Sequence, residues 1–227
     1  QDAYQQIFDH TLMVPQLNKL NNHEILKTVH VFVGNNVEEI AASAFDGAKK
    51  LYLVVAKQLK KVGAKAFFYC HQLREVIAQV EEVADSGFAG CISLVNFDFS
   101  KITKLGKNAF SNNQSLVDVN LLKVEEIGGS FRSCFSLKQV VAPLCTKIDN
   151  SALIQKGLIK IIAVYAPLAD LNKLQNCQII RHDEILQYPQ QAVDQMFPFS
   201  FKQKIILNSK KLCVLLKLVK NQMKSSK

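Results

Sequence analysis

No stretch of this sequence approaches 18 consecutive apolar residues, so no helix is expected to cross a membrane. No Cys-x2-Cys pair is present, and a zinc ion needs ligands that converge on one point. The five histidines (His10, His23, His30, His71, His182) form no HExxH-type pair. No glycine-rich, phosphate-cradling loop is present either, because Gly128-Gly129 is an isolated turn inside a longer pattern. Cys70-His71 sets a nucleophile beside a base, but neighbouring residues of a strand or turn generally point apart. With no catalytic constellation, the chain is expected not to be an enzyme and to need neither cofactor nor metal. It opens at Gln1 with no initiator Met and no basic-then-apolar leader, as expected of a fragment or a processed form.

What the chain does contain is a block recurring every 20 to 22 residues between Val37 and Leu144. One unit runs Leu59, Val62, Ala66-Phe67, Cys70, Leu73, Val76, Ala78, and the next runs Val80, Val83, Gly87-Phe88, Cys91, Leu94, Phe97, Phe99. The unit before these lacks the Cys: Val37, Ile40, Ala44-Phe45, Leu51, Val54, Ala56. After them come Ile102, Leu105, Ala109-Phe110, Asn113, Leu116, Val119, Leu121, then Val124, Ile127, Phe131, Cys134, Leu137, Val140, Ala142. That fifth unit is one residue short before its Phe, and a weaker sixth carries Leu153 in place of Phe. Degenerate turns flank the array at Leu17–Leu26 and Leu168–Ile180.

A unit of this length cannot bury its own apolar face, so it stacks on its neighbours and shares one continuous core. Apolar and exposed positions alternate in Val76-Ile77-Ala78, Phe97-Asp98-Phe99 and Val119-Asn120-Leu121, which reads as one short strand per unit. Stacked, these strands are expected to form a single parallel sheet. The Phe, five residues after an aliphatic, is expected to fill the opposite side of each coil. Cys70, Cys91 and Cys134 share one repeat phase, which assigns them to a buried column and away from metal or disulfide chemistry. Six thiols without a pairing pattern favour a reducing, cytoplasmic compartment. One Asn-x-Ser glycan acceptor pattern, Asn113-Gln114-Ser115, is near chance.

These units resemble the BspA-like leucine-rich repeats, whose pattern is an aliphatic, then Ala-Phe, a Cys, a Leu and a short aliphatic strand. Val62-Gly-Ala-Lys-Ala-Phe-Phe-Tyr-Cys-His-Gln-Leu-Arg-Glu-Val76 carries it in full. Asn113 in the Cys slot fits the Asn/Cys alternation of such repeats. The resemblance implies a solenoid, and the expected fold is an α/β repeat solenoid: a right-handed leucine-rich-repeat coil with a short parallel concave β-sheet, irregular or 3-10 convex segments and a helical C-terminal cap. It also implies adhesion or partner binding at a cell surface, and no catalytic residues. The expected organisation is an N-terminal segment 1–16, a solenoid 17–180 and a basic, mainly helical segment 181–227.

Charge separates the last part from the rest. Residues 201–227 hold eight of the 28 Lys and Arg and none of the 19 Asp and Glu. Leu212, Leu215, Leu216, Val219 and Met223 sit there at helical spacing among Lys210, Lys211, Lys217, Lys220 and Lys224. A helix capping the solenoid accounts for this, and so does attachment to an anionic membrane or acidic partner. Nucleic acid is disfavoured, since no aromatics interleave with the lysines. The expected binding site for a protein partner is the concave sheet. Its outward positions are Leu53 and Val55, Glu75 and Ile77, Asn96 and Asp98, Asp118 and Asn120, Gln139 and Val141, and Lys160 and Ile162. Strands lie about 4.8 Å apart, which would bring Asp98 and Asp118 together as neighbouring carboxylates.

Overall fold

Each repeat contributes two extended stretches separated by turns, and backbone hydrogen bonds between successive coils join them into sheets. The computed structural model describes residues 7–8, 10–21, 24–142, 144–149, 151, 159–162 and 177–180. By contacts the chain divides into two units, Gln1–His182 and Asp183–Lys227. In chain order the strands begin β1 (Ile7–Phe8), β2 (Thr11–Met13), β3 (Lys19–Leu20), β4 (Val31–Val33), β5 (Glu39–Ile40) and β6 (Leu53–Ala56). They continue β7 (Lys61–Val62), β8 (Glu75–Ala78), β9 (Glu82–Val83), β10 (Asn96–Phe97), β11 (Lys104–Leu105) and β12 (Asp118–Asn120). The last are β13 (Glu126–Ile127), β14 (Gln139–Val141), β15 (Lys147–Ile148), β16 (Ile159–Ile162) and β17 (Cys177–Ile180).

Two sheets run along the coil where the sequence led us to expect one. The broad sheet has the order β1-β2-β4-β6-β8-β10 and restarts as β12-β14-β16-β17. A narrow sheet on a second edge has the order β11-β9-β7-β5-β3 and restarts as β13-β15. All pairings are parallel except β1 with β2, so a reversed strand covers the first edge. The parallel sheet thus begins at Thr11, inside the segment set apart as 1–16.

Between the two sheets lies one apolar core. Val54, Val76, Val119 and Val140 point inward from the broad sheet, and Ile40, Val62, Val83 and Ile127 from the narrow one. Phe45, Phe67, Phe88, Phe110 and Phe131 are fully buried and pile into a spine. Successive ring centroids are 5.1, 4.7, 5.2 and 5.7 Å apart, with planes within 10° of parallel. Each pair adds about 0.5–1.5 kcal/mol beyond area burial.

Among the described residues there is no α-helix, which corrects the α/β expectation; the one helical turn is the 3-10 stretch Glu24–Lys27. The reason lies in the turn side of each coil, where two residues four apart take left-handed backbone. The first is Ser43, Lys65, Ser86 or Asn108, and the second Gly47, Tyr69, Gly90, Asn112 or Ser133. A left-handed residue interrupts a right-handed helix and costs roughly 1–2 kcal/mol outside Gly and Asn. The backbone there bonds to the next coil instead, as in Phe45 N–H to Ala66 O at 2.7 Å and Gly47 N–H to Phe68 O at 2.8 Å. The helical C-terminal cap falls on residues outside those described.

The narrow sheet carries a charge pattern that we did not anticipate. Reading down it, the outward residue of each strand is Lys19, Glu39, Lys61, Glu82, Lys104, Glu126, Lys147. Lys19–Glu39 closes at 2.7 Å, Lys104–Glu82 at 3.3 Å and Lys147–Glu126 at 2.7 Å. Exposed pairs contribute little each, about 0–1 kcal/mol. Their larger effect is on register, since a coil displaced by one rung would set like charges opposite each other.

Glycine after the narrow strand permits close stacking at two points. A Cβ on Gly63 would lie 2.5 Å from the Ala42 nitrogen, and one on Gly106 would lie 2.5 Å from that of Asp85. Gly128, the equivalent residue one coil after Gly106, has nothing within 4 Å of such a Cβ. Gly106→Ala is therefore expected to lose about 1–3 kcal/mol of unfolding free energy. Gly128→Ala should be neutral or gain about 0.4–1 kcal/mol. Urea titration of both variants checks the contrast.

Candidate partner-binding face

The outward face of the broad sheet is assembled by parallel register, which stacks equivalent residues directly. One column runs Thr11, Val31, Leu53, Glu75, Asn96, and a second runs Met13, Val33, Val55, Ile77. After the restart, Asp118, Gln139 and Lys160 continue the first column, and Asn120, Val141 and Ile162 the second. Met13 is 41% exposed and Ile77 44%, while Val31, Val33, Leu53 and Val55 between them are half-buried. The first four parallel strands therefore present a mainly apolar strip with Glu75 beside it.

The expected site residues fall out unevenly. Leu53, Val55, Glu75, Asn120 and Val141 are half-buried, and Asn96, Asp98 and Asp118 are exposed. Gln139 is only 6% exposed, and its Nε2 has no hydrogen-bond partner among the described residues. It is a buried residue and not the open position expected. Lys160 and Ile162 lie in β16, but their side chains are outside the described set, as are Lys210, Lys211, Lys217, Lys220 and Lys224. Asp98 and Asp118 do not become neighbouring rungs, because β10 and β12 are not paired. Asp98 instead accepts the Ser100 N–H at 2.9 Å through Oδ1, closing its own turn.

Sequence reasoning missed Thr11, Met13, Val31 and Val33, whose signal was the alternation in Thr11-Leu12-Met13-Val14 and Val31-Phe32-Val33. It also missed the flank of the strip, where the rings of His10 and His30 stack at 4.4 Å. Their backbones are coupled too, as His10 O accepts the His30 N–H at 2.9 Å.

The cysteine column is structural in its geometry. Cys70, Cys91 and Cys134 each donate Sγ–H to the Phe carbonyl of the preceding coil, at 3.0, 3.1 and 3.1 Å. Asn113 takes the same role with Nδ2 to Phe88 O at 2.8 Å, and it also reaches Phe110 O at 2.7 Å. Burial raises the Cys70 and Cys91 thiols far above their ordinary range and pushes Cys134 up to about 12. Such thiols stay protonated and are poor nucleophiles and poor ligands. Asn113 is fully buried, so the Asn113-Gln114-Ser115 pattern has no accessible acceptor in the folded chain.

On the turn side, the left-handed Tyr69 lays its ring over Gly90, where a Cβ would meet Tyr69 Cδ1 at 2.3 Å. Phe68 lies 4.1 Å from that ring between centroids, and His71 5.5 Å. No three His, Cys, Asp or Glu residues cluster in a metal-binding arrangement among the described residues.

Parallel strands one coil apart, a phenylalanine spine and a Cys/Asn column bonded to Phe carbonyls define a leucine-rich-repeat solenoid. The pattern described as "BspA type Leucine rich repeat region" matches residues 38–159 in six copies, and the chain belongs to that family. Among solved structures it is similar to a leucine-rich repeat protein from Bacteroides ovatus, at 20% identity and TM-score 0.57. That match covers 76% of this chain and 54% of the other, so this chain spans about half of its relative's length. It is also similar to the leucine-rich repeat protein of T. pallidum, at 18% identity and TM-score 0.52 over 74% of this chain and 85% of that one. No curated protein matches the chain. Family and fold are ones that generally serve as non-catalytic interaction scaffolds.

Two outcomes are expected at the Cys/Asn column. Asn113 Oδ1 is buried without a partner among the described residues, and Phe110 O is already served by Cys134. Asn113→Cys keeps the bond to Phe88 and removes the orphan acceptor, so it should gain about 1 kcal/mol in urea unfolding. Separately, the unfolded chain ionises its thiols near the ordinary 9.0, while folded Cys134 holds its proton to about 12. The stability this gives is whole below pH 9 and is lost as pH climbs to the folded value. Cys134→Ser keeps a donor and has no such proton, so its unfolding midpoint should fall less steeply across that interval.

Proposed function

We propose that this protein is a non-catalytic scaffold that binds a protein partner across the outward, concave face of its broad sheet. The observation that carries this reading is the strip Met13–Val33–Val55–Ile77, whose two ends are 41% and 44% exposed. The sheet is already satisfied by its own backbone bonds and its inward valines, so these outward side chains are not needed to close the core. Exposed apolar residues aligned on a rigid surface are what a partner's anchor residues need. Leu53, Val55, Glu75, Ile77, Asn96, Asp98, Asp118 and Asn120 then form the central contact set, with Val141, Lys160 and Ile162 beyond it. In this reading the binding solenoid begins with the strand at Thr11 and runs to 180, and 181–227 is a basic segment after it.

Affinity capture with mass spectrometry tests it, comparing the native chain with Met13→Lys/Ile77→Lys. The variant should melt within a few degrees of the native chain. A partner held by the native chain and lost by the folded variant is the expected result. Equal capture by both removes the site from this face.

A second reading is attachment to an anionic surface through the C-terminal segment. It is favoured by the eight basic residues in 201–227 with no Asp or Glu among them. Lys210, Lys211, Lys217, Lys220 and Lys224 would face the surface. Sedimentation with phosphatidylserine vesicles, with and without residues 201–227, decides it. Binding that survives the deletion overturns this reading.

A further inference from the structure

We infer that the junction between the coil carrying β10 and β11 and the coil carrying β12 and β13 is a hinge, bonded along the turn side and without strand pairing along both sheets. Three series of backbone bonds run down the solenoid, and each omits this one step. At the entry to the broad strands, His10, His30, Tyr52 and Arg74 each accept two N–H groups of the next coil. β10 and β12 are not paired, and the series resumes when Val117 O takes Lys138 and Gln139. At the entry to the narrow strands, Asn18, Glu38, Lys60 and Glu81 do the same, Thr103 accepts none among the described residues, and Glu125 takes Thr146 and Lys147. Just past the narrow strands, Gly63, Ala84 and Gly106 donate to the coil before, and so does Asp149, but Gly128 does not.

Side-chain space tells the same story independently. Gly106 is pressed against the preceding coil, whereas a Cβ on Gly128 would meet nothing within 4 Å. The Phe110–Phe131 spacing of 5.7 Å is the widest of the four parallel steps in the spine. The turn side, by contrast, remains bonded through Phe110 N–H to Ser130 O and Asn112 N–H to Arg132 O, both 2.8 Å. Ser130 Oγ also reaches Gly106 O at 3.1 Å, so this joint is bonded at the turn side but carries no strand ladder along either sheet, and such a joint bends.

Two sequence departures converge on this step. The stretch from Ile127 to Phe131 is one residue shorter than Leu105 to Phe110, and the left-handed residue that Asn108 supplies there has no counterpart. Phe97 and Phe99 stand where the preceding coil carries Val76 and Ala78 and the following one Val119 and Leu121. Phe99 reaches both Phe110 at 5.0 Å and Phe131 at 6.1 Å, a wedge between the coils. If the broad sheet is the binding face proposed above, the hinge divides it: the apolar strip belongs to one block, and Asp118, Asn120 and Val141 to the other. Binding a partner across both blocks would then set the angle between them.

Amide hydrogen exchange on the native chain, read by NMR, tests the hinge without any partner, so its outcome is independent of the binding proposal. After correction for intrinsic rates, Glu125, Glu126 and Gly128 are expected to exchange at least about tenfold faster than Thr103, Lys104 and Gly106. Phe110 and Asn112 on the turn side should stay protected. Equal protection of the two sets overturns the hinge. Inserting one Gly between Gly128 and Gly129 restores the five-residue spacing and should slow Glu126 and Gly128 to the rate of Lys104 and Gly106. An insertion variant that folds and leaves them fast overturns the deletion as the cause. Should it not fold, the native measurement still decides.

Discussion

One repeat distance governs this molecule. Strands bonded to each other lie about 4.8 Å apart, and phenyl rings stack favourably from about 4.5 Å upward. A coil that advances by one strand therefore also advances by one ring, and the Phe45-to-Phe110 spine holds 4.7 to 5.2 Å through three steps. The Cys/Asn column ties the two together, because its donors bond to the carbonyls of those same phenylalanines one coil back. A coil that lost the ring would also displace the carbonyl its neighbour needs. The charge alternation on the narrow sheet and the glycines at 63 and 106 are refinements of this pitch, fixing register and permitting approach.

The parts legible in the sequence were those that repeat with large apolar residues. The spine, the thiol column and the strands β6, β8, β12 and β14 all follow from aligning Ala-Phe, Cys and Leu. The narrow sheet was not legible, because a two-residue strand with one charged and one buried position has no periodicity of its own. Its signal was the alternation of Lys and Glu before each aliphatic, visible only once the units are aligned by register. The strands β2 and β4 were missed because their coils lack the Ala-Phe pair. A helix-containing label failed for a local reason: Ser43, Lys65, Tyr69 and Ser86 take left-handed backbone in segments whose composition does not announce it. Gln139 was misjudged because strand phase tells which face a side chain occupies, not what lies over that face.

Departures from the consensus were informative in proportion to how they clustered. Asn for Cys at 113 changes little, since an amide can make the thiol's bond and a second one besides. The missing residue before Phe131 changes more, because each coil must return to the same point to bond with the last. Placed alone, such a deletion would be absorbed by the turn. Here it coincides with two phenylalanines on the adjoining strand, and both sheets stop at the same step. Exchange of a small residue for a large one on the inside and loss of a residue on the outside push the same junction open.

The face proposed for binding follows from how a solenoid satisfies itself. Except at the step between β10 and β12, each inner strand of the broad sheet is bonded above and below, so its outward residues add little to folding and are free to be polar. Asn96, Asp98, Asp118 and Asn120 are what such freedom ordinarily leaves. Met13, Val33, Val55 and Ile77 are not: they keep apolar area in water on four successive parallel strands, where a Thr or Ser would pack equally well. Burial of that strip against a partner would recover about 25 cal/mol for each Å² removed from water, and nothing in the coil's own packing does so. The column of His10, His30 and Tyr52 beside it adds rings that are amphipathic, the composition that interface cores favour. What makes the fold rigid and what is proposed to bind a partner are thus different residues on opposite sides of the same strands.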